Sequence, residues 1–360
     1  MNKKILILIP LIAVMLMSAC SKKVDNTAPK ETKEGEITLE QYLDSEMTEA
    51  EQSIGFTRDM RRDFIEKYGP EKYSISYHVL SNLLFSFKYD QSPILDSDTD
   101  MYKNDSKIEV VEYESSLEDH HRITADYVTN GDDMRDTVIL VHGAGENRRK
   151  LFWRTRMFLD MGYNVLQYDQ RASGDNHEKT VTYGVLEKYD LIDSINYVKE
   201  RTSGKVKISV FGSSFGGSAV INAIADEDAA KDIHVAILDC PMVNVWERVE
   251  PAVKENCPPE YVGIAKEACN EAMNYLYGFS LDDMNADNLA DKIKAPVLVF
   301  LSEKDNVLNY ETQKAFYDKI TYKDKALFVS KTAAHCCVAA DNESEYFDLV
   351  KKAMTDELFK

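Results

Sequence analysis

Val206-Lys207-Ile208-Ser209-Val210-Phe211-Gly212-Ser213-Ser214-Phe215-Gly216-Gly217-Ser218-Ala219 is the stretch that decides how this chain folds. A β-rich run, Val206–Phe211, meets Gly-x-Ser-x-Gly and continues into Ala219, Val220 and Ile221 at helical spacing. The two glycines of the motif permit a tight strand-to-helix turn, which lifts the Ser214 hydroxyl out of the sheet to the positive end of the following helix. Ser213 is adjacent but lies off the centre of the motif. The bland alternative, a Gly/Ser turn without chemistry, accounts for the glycines but not for the strand before them and the helix after.

A serine hydroxyl is a poor nucleophile at neutral pH, so this reading demands a base and a group to orient it. On the commonest layout of such an elbow these follow in the order serine, carboxylate, histidine. Asp305 comes just after the apolar run Val297–Leu301, and His335 just after Ala326–Val329. Both therefore stand past the C-terminal ends of strands, where open α/β sheets bind ligands. Asp239, which ends the run His234–Leu238, and Glu303 remain alternative acids. A tetrahedral oxyanion must be met by preorganised amides. Val138-Ile139-Leu140-Val141-His142-Gly143-Ala144-Gly145, a strand running into a glycine turn, offers the amide of Ala144, and the residue after the nucleophile offers that of Phe215. His142, at a strand end before glycines, reads as structural rather than as the base.

Outward from the motif, β-rich runs recur at Ile108–Tyr113, Arg122–Val128, Thr137–Val141, Asn164–Tyr168 and the segments already named, with helical patterns between most of them. The later runs are continuously apolar, as strands are when helices cover both faces of a mostly parallel sheet. Pro241 to Lys294 is too long for a structureless connection and reads as an inserted helical cap, about 241–294. Its Trp246, Tyr261, Tyr275, Tyr277 and Phe279 read as packing residues in preference to the lining of an acyl pocket. Residues 37–106 read as an N-terminal helical extension, on apolar spacing such as Tyr73, Tyr77, Leu80, Leu84 and Phe87, packed on the main domain that spans 107–360.

At this point the chain resembles the α/β-hydrolase superfamily over roughly Lys107 to Lys360, on four motifs in order: His142-Gly143-Ala144-Gly145, Gly212-Ser213-Ser214-Phe215-Gly216, Asp305 and His335. Tyr168-Asp169-Gln170-Arg171-Ala172-Ser173-Gly174 and Thr182-Tyr183-Gly184 with Glu187 and Asp190 are similar to serine aminopeptidase-like and prolyl-oligopeptidase-like bacterial hydrolases. The resemblance implies an eight-stranded sheet with a cap before the acid-bearing strand, esterase-like or peptidase-like chemistry, and no cofactor or metal. Asp169 and Arg171 read as a carboxylate and guanidinium that pin the turn between them. Ser173 stands where that loop usually has a second glycine.

Composition excludes several classes. With 43 Lys+Arg against 62 Asp+Glu and a formal net charge of -19, the chain lacks the basic surface that nucleic acid requires. At 44% hydrophobic residues it is too apolar for disorder. Lys3 and Lys4, an apolar stretch from Ile5 to Met17 and Ser18-Ala19-Cys20 form an export signal over 1–19; the stretch is too short to span a bilayer, which takes about 20 residues. Ser18-Ala19 before a cysteine resembles the bacterial lipobox, with Met17 where leucine is usual, so Cys20 is expected to carry lipid and 20–36 to be a flexible tether holding an exported protein to a membrane. The other five of the six cysteines leave an odd thiol. Cys257 and Cys269 are the favoured disulfide, and Cys336 and Cys337 brace the loop of His335 through Cys240. The function expected from these readings is hydrolysis of a small carboxylic ester through an acyl-serine. A serine exopeptidase or amidase, and a catalytically silent ligand-binding lipoprotein, are the alternatives.

Overall fold

The computed structural model describes residues 39–85, 106–117, 120–129, 131–178, 180–256 and 259–360. The leader, Cys20, the tether and Cys257 lie outside them, and with Cys257 the disulfide expected with Cys269. The chain divides into two compact units.

The larger unit is built on an eight-stranded sheet: β1 Lys107–Glu114, β2 Arg122–Thr129, β3 Thr137–Val141, β4 Asn164–Tyr168, β5 Ile208–Ser213, β6 Ala236–Asp239, β7 Val297–Ser302 and β8 Lys325–Ser330. The order is β1-β2-β4-β3-β5-β6-β7-β8. β2 pairs antiparallel with both β1 and β4, and every later pairing is parallel. This is the α/β-hydrolase fold, with a strand at each of the eight β-rich runs.

The continuously apolar strands have a physical reason. Ile139, Val141, Val210, Val297, Val299 and Leu301 face one buried cluster, while Val138, Leu140, Phe211, Leu298 and Phe300 face another. Alternate residues of one strand thus enter two cores, the geometry of a sheet covered on both sides. Helices Glu187–Thr202 and Phe215–Ala225 supply Leu191, Ile195, Val220 and Ile224 to the first core; helices Phe152–Asp160 and Glu343–Met354 supply Phe158, Tyr346 and Val350 to the second. Each such side chain, fully buried, contributes about 1.5–3 kcal/mol.

The smaller unit joins helices Leu39–Asp44, Glu49–Ser53, Arg58–Tyr68 and Pro70–Phe85 to the inserted segment Trp246–Asp282, which contains helices Trp246–Asn256 and Pro259–Tyr277. The insertion and the N-terminal helices therefore share one core, and Asp283–Lys294, including the short helical turn Ala286–Lys292, belongs with the sheet. Phe56 packs on Phe64, Tyr73 and Tyr275, and Tyr277 donates its hydroxyl to the Ile54 carbonyl at 2.9 Å. Lys72 reaches Glu267 and Glu271, each at 2.9 Å. Beneath them Glu51 is fully buried, yet it accepts hydroxyls from Tyr42 at 3.2 Å and Tyr73 at 2.8 Å and faces Arg61 at 3.4 Å. Its other oxygen closes a capping box with the Thr48 amide at 2.6 Å, so a charge that would be costly if bare is partnered on both oxygens.

Candidate active site

The loops after β3, β5, β7 and β8 converge at the C-terminal edge of the parallel strands. Ser214 sits in the turn between β5 and the helix opened by Phe215, at φ 49°, a left-handed backbone that costs a non-glycine residue energy. The glycines around it make that turn possible. A Cβ on Gly212 would meet the Gly216 carbonyl oxygen at 2.6 Å, and one on Gly216 would run into the Val141 carbonyl oxygen of β3. The Ser214 amide donates to the Asp239 carbonyl at 3.0 Å, and its own carbonyl accepts from the Met242 amide at 2.8 Å. The serine is therefore held from both sides by backbone.

His335 Nε2 lies 2.8 Å from Ser214 Oγ, and His335 Nδ1 lies 2.8 Å from Asp305 Oδ2. A carboxylate accepts only, so Nδ1 carries the ring proton and Nε2 is left to accept from the serine hydroxyl. Asp305 is oriented in turn: its Oδ1 accepts the Val307 and Leu308 amides, each at 2.9 Å, and Gln313 donates to Oδ2 at 3.3 Å. Burial pushes this carboxyl up, but the His335 hydrogen bond and the two amides outweigh it and hold it below the usual carboxylate range. The His335 amide donates to Asn306 Oδ1 at 3.2 Å, tying the histidine loop to the aspartate loop. Ser214, His335, Gly143 and Ala144 line a cavity of about 290 Å³. Ala144 is exposed to it, and Phe215 opens its helix beside the serine.

The other residues singled out in the sequence lie elsewhere in the network. Asp239 does not touch His335; its Oδ2 accepts from Arg154 at 2.7 Å and from the Tyr346 hydroxyl at 3.0 Å. Glu303 is exposed. His142 is buried, accepts the Gln170 amide on Nε2 at 3.1 Å and so donates Nδ1–H to the Gly143 carbonyl at 2.8 Å, shaping the glycine turn. Asp169 and Arg171 do not pin one turn by pairing with each other, contrary to expectation. Asp169 takes the Arg148 amide at 2.7 Å, the Arg148 guanidinium and the Asp175 amide, whereas Arg171 reaches the Thr180 carbonyl at 3.0 Å and Glu178 at 3.6 Å. Each is held instead by partners outside the pair, Asp169 by Arg148 and Asp175 and Arg171 by Thr180 and Glu178. Gly174, not position 173, is the glycine this loop requires; it adopts φ 51°, and a Cβ there would overlap the Asp169 carboxylate.

Reading the sequence missed Arg154, Tyr346 and Glu146. The first two lie on helices far along the chain and belong to no local motif. Glu146 accepts the Gly143 amide at 2.8 Å and borders the cavity. Cys336, one residue past His335, also borders it, and its thiol is raised well above the ordinary range by contact with Cys240 and by burial.

The uncharacterized protein YqkD of Bacillus subtilis is 27% identical over 222 residues, covering 61% of this chain and 71% of YqkD. A lysophosphatidylserine lipase, ABHD12 of Danio rerio, is 23% identical over 50% of this chain and 46% of its own. Among solved structures, the Pyrococcus furiosus esterase Pf2001 superposes with a TM-score of 0.58 at 22% identity, over 75% of this chain and 99% of that one. A cold-adapted esterase from an Arctic intertidal metagenomic library gives 0.51 at 14% identity, over 70% and 95%. The family model for serine aminopeptidase, S33, matches residues 132–272 and 272–343, more than half of the chain, and the protein belongs to this family of α/β-fold serine hydrolases.

Proposed function

We propose that the protein hydrolyses carboxylic esters through an acyl-enzyme on Ser214. The observation that carries this is the unbroken relay Asp305–His335–Ser214, two contacts of 2.8 Å each, opening on one cavity. Ser214 Oγ attacks the ester carbonyl while His335 Nε2 takes its proton; Asp305 holds the tautomer and stabilises the imidazolium. The amides of Ala144 and Phe215 receive the oxyanion. The imidazolium then protonates the departing alkoxide, and a water molecule repeats the sequence to release the acid. A cavity near 290 Å³ suits a small acyl group. Ser214→Ala is expected to lower nitrophenyl-ester turnover by on the order of 10⁶ and to abolish fluorophosphonate labelling. Undiminished turnover in that variant sinks the assignment.

One observation favours a second reading, hydrolysis of aminoacyl amides. Glu146 lines the same cavity as Ser214, with Oε2 on the Gly143 amide at 2.8 Å, so a carboxylate stands in the cavity wall, where a substrate ammonium can pair with it. Comparison of kcat/KM across acyl esters and aminoacyl nitroanilides separates the two. The export signal and lipobox support placement at a membrane through lipidated Cys20; radioactive palmitate incorporation that persists in Cys20→Ser would overturn that part. Among the described residues no helix is long and apolar enough to cross a membrane.

A further inference from the structure

Behind the relay lies a second cluster of chemistry-bearing side chains. One ligand atom each from Cys240, His335 and Cys336 fall within 4.8 Å of one another. We propose that these three residues form a site for a thiophilic divalent cation of the zinc class, and that filling it switches the hydrolase off.

Both cysteines occupy backbone that non-glycine residues avoid, φ 48° at Cys240 and 55° at Cys336. Such conformations persist only where the surroundings hold them. Here the Cys240 amide donates to the Phe300 carbonyl at 2.9 Å, and the Cys336 carbonyl accepts from Arg154 at 3.4 Å. The two bends bring both thiols together from the loops after β6 and β8. The Cys336 thiol is directed at the Asp239 carbonyl, 3.6 Å away. Asp239 Oδ1 is buried and has no hydrogen-bond partner among the described residues, with Arg154 on Oδ2 at 2.7 Å, so one buried acceptor beside the cysteines is left open. Two sulfurs and one imidazole are a soft donor set. Three protein ligands leave a fourth position open, and the cavity that His335 and Cys336 line offers an entry path. Zinc–sulfur bonds of about 2.3 Å and zinc–nitrogen bonds of about 2.0 Å require the donors to close by about 1 Å, within reach of side-chain rotation.

Uptake releases both thiol protons to solvent, while the imidazole ligates as the neutral ring. Neither ring nitrogen is spare. Ligation by Nε2 displaces the Ser214 hydroxyl; ligation by Nδ1 moves the ring proton to Nε2 and breaks the bond to Asp305. Either way the base is lost. The inhibition rests on the serine hydrolase reading above, whereas the binding does not.

The test therefore reads both. Co²⁺ added to the full chain is expected to give one equivalent of thiolate-to-cobalt absorption, displaced by Zn²⁺, and Ser214→Ala is expected to retain it. Zn²⁺ is expected to inhibit ester turnover reversibly, with chelator restoring it. Cys336→Ser and Cys240→Ser, where they fold, are expected to need at least tenfold more Zn²⁺; Cys337→Ser, at the exposed neighbour, is expected to match the wild type. Absence of the cobalt–thiolate band, or Zn²⁺ inhibition unchanged in Cys336→Ser, overturns the site.

Discussion

Asp305→Asn is the change whose outcome the geometry dictates most closely. In the wild type Oδ1 faces two donors, the amides of Val307 and Leu308 at 2.9 Å each, and Oδ2 faces His335 Nδ1 at 2.8 Å. An asparagine has one oxygen and one NH₂. The two amides claim the oxygen, because turning the NH₂ toward them would set donor against donor twice. The NH₂ is thereby aimed at His335 Nδ1, which must give up its proton and accept instead. The ring proton moves to Nε2 and points at Ser214 Oγ, so the base has no lone pair where the serine needs it. A wrong tautomer of this kind costs about 10⁴ in kcat, or about 5.5 kcal/mol of barrier at about 1.36 kcal/mol per factor of ten. The assay is kcat for a nitrophenyl ester, with substrate affinity and melting temperature measured on the same preparation. A fall in kcat of less than tenfold in a folded Asp305→Asn protein refutes the orientation argument, and loss of activity in Asp239→Asn instead would move the acid to β6.

The same carboxylate governs an acid limb of stability. Its pKa is held below the unfolded value, so its stabilisation is complete above about pH 4 and disappears as pH falls through the folded value; the stability gap between wild type and Asp305→Asn should narrow over that range in denaturant titrations. Arg154→Met strands the buried Asp239 carboxylate with only the Tyr346 hydroxyl, a loss of about 3–5 kcal/mol that should lower the melting temperature by on the order of 10 °C, part of it recovered by adding Asp239→Asn. Gly174→Ala imposes a left-handed φ on a side chain that overlaps the Asp169 carboxylate; a cost of about 2–3 kcal/mol should appear as a lower denaturant midpoint, and an unchanged midpoint would contradict it.

The strands and the elbow were legible because their signals are local. Val297–Leu301 is apolar at every position because two cores claim it, and Gly212 and Gly216 mark a turn that no larger residue allows. Asp305 and His335 could be found because each follows such a strand. What stayed hidden depends on meetings across the fold. Nothing near Asp239 announces that Arg154 and Tyr346 will hold it, and nothing near Asp169 announces Arg148. The insertion was visible as an interval too long for a loop, but its shared core with the N-terminal helices was not, since helical periodicity shows which face is apolar and not which partner covers it.

That shared core has a consequence for how the chain is made. Lys72 meets Glu271 across 199 residues of sequence, and Tyr277 meets Ile54 across 223. At about 5–20 residues per second, the first helices leave the ribosome roughly 10–40 seconds before their partners exist. Throughout that interval Phe56, Phe64 and Tyr73 have nothing to pack on from Tyr275, and the entire sheet up to β6 is synthesised in between. These helices are thus made well before the sheet and are among the last elements able to finish folding, so they are where a chaperone would find exposed aromatic surface.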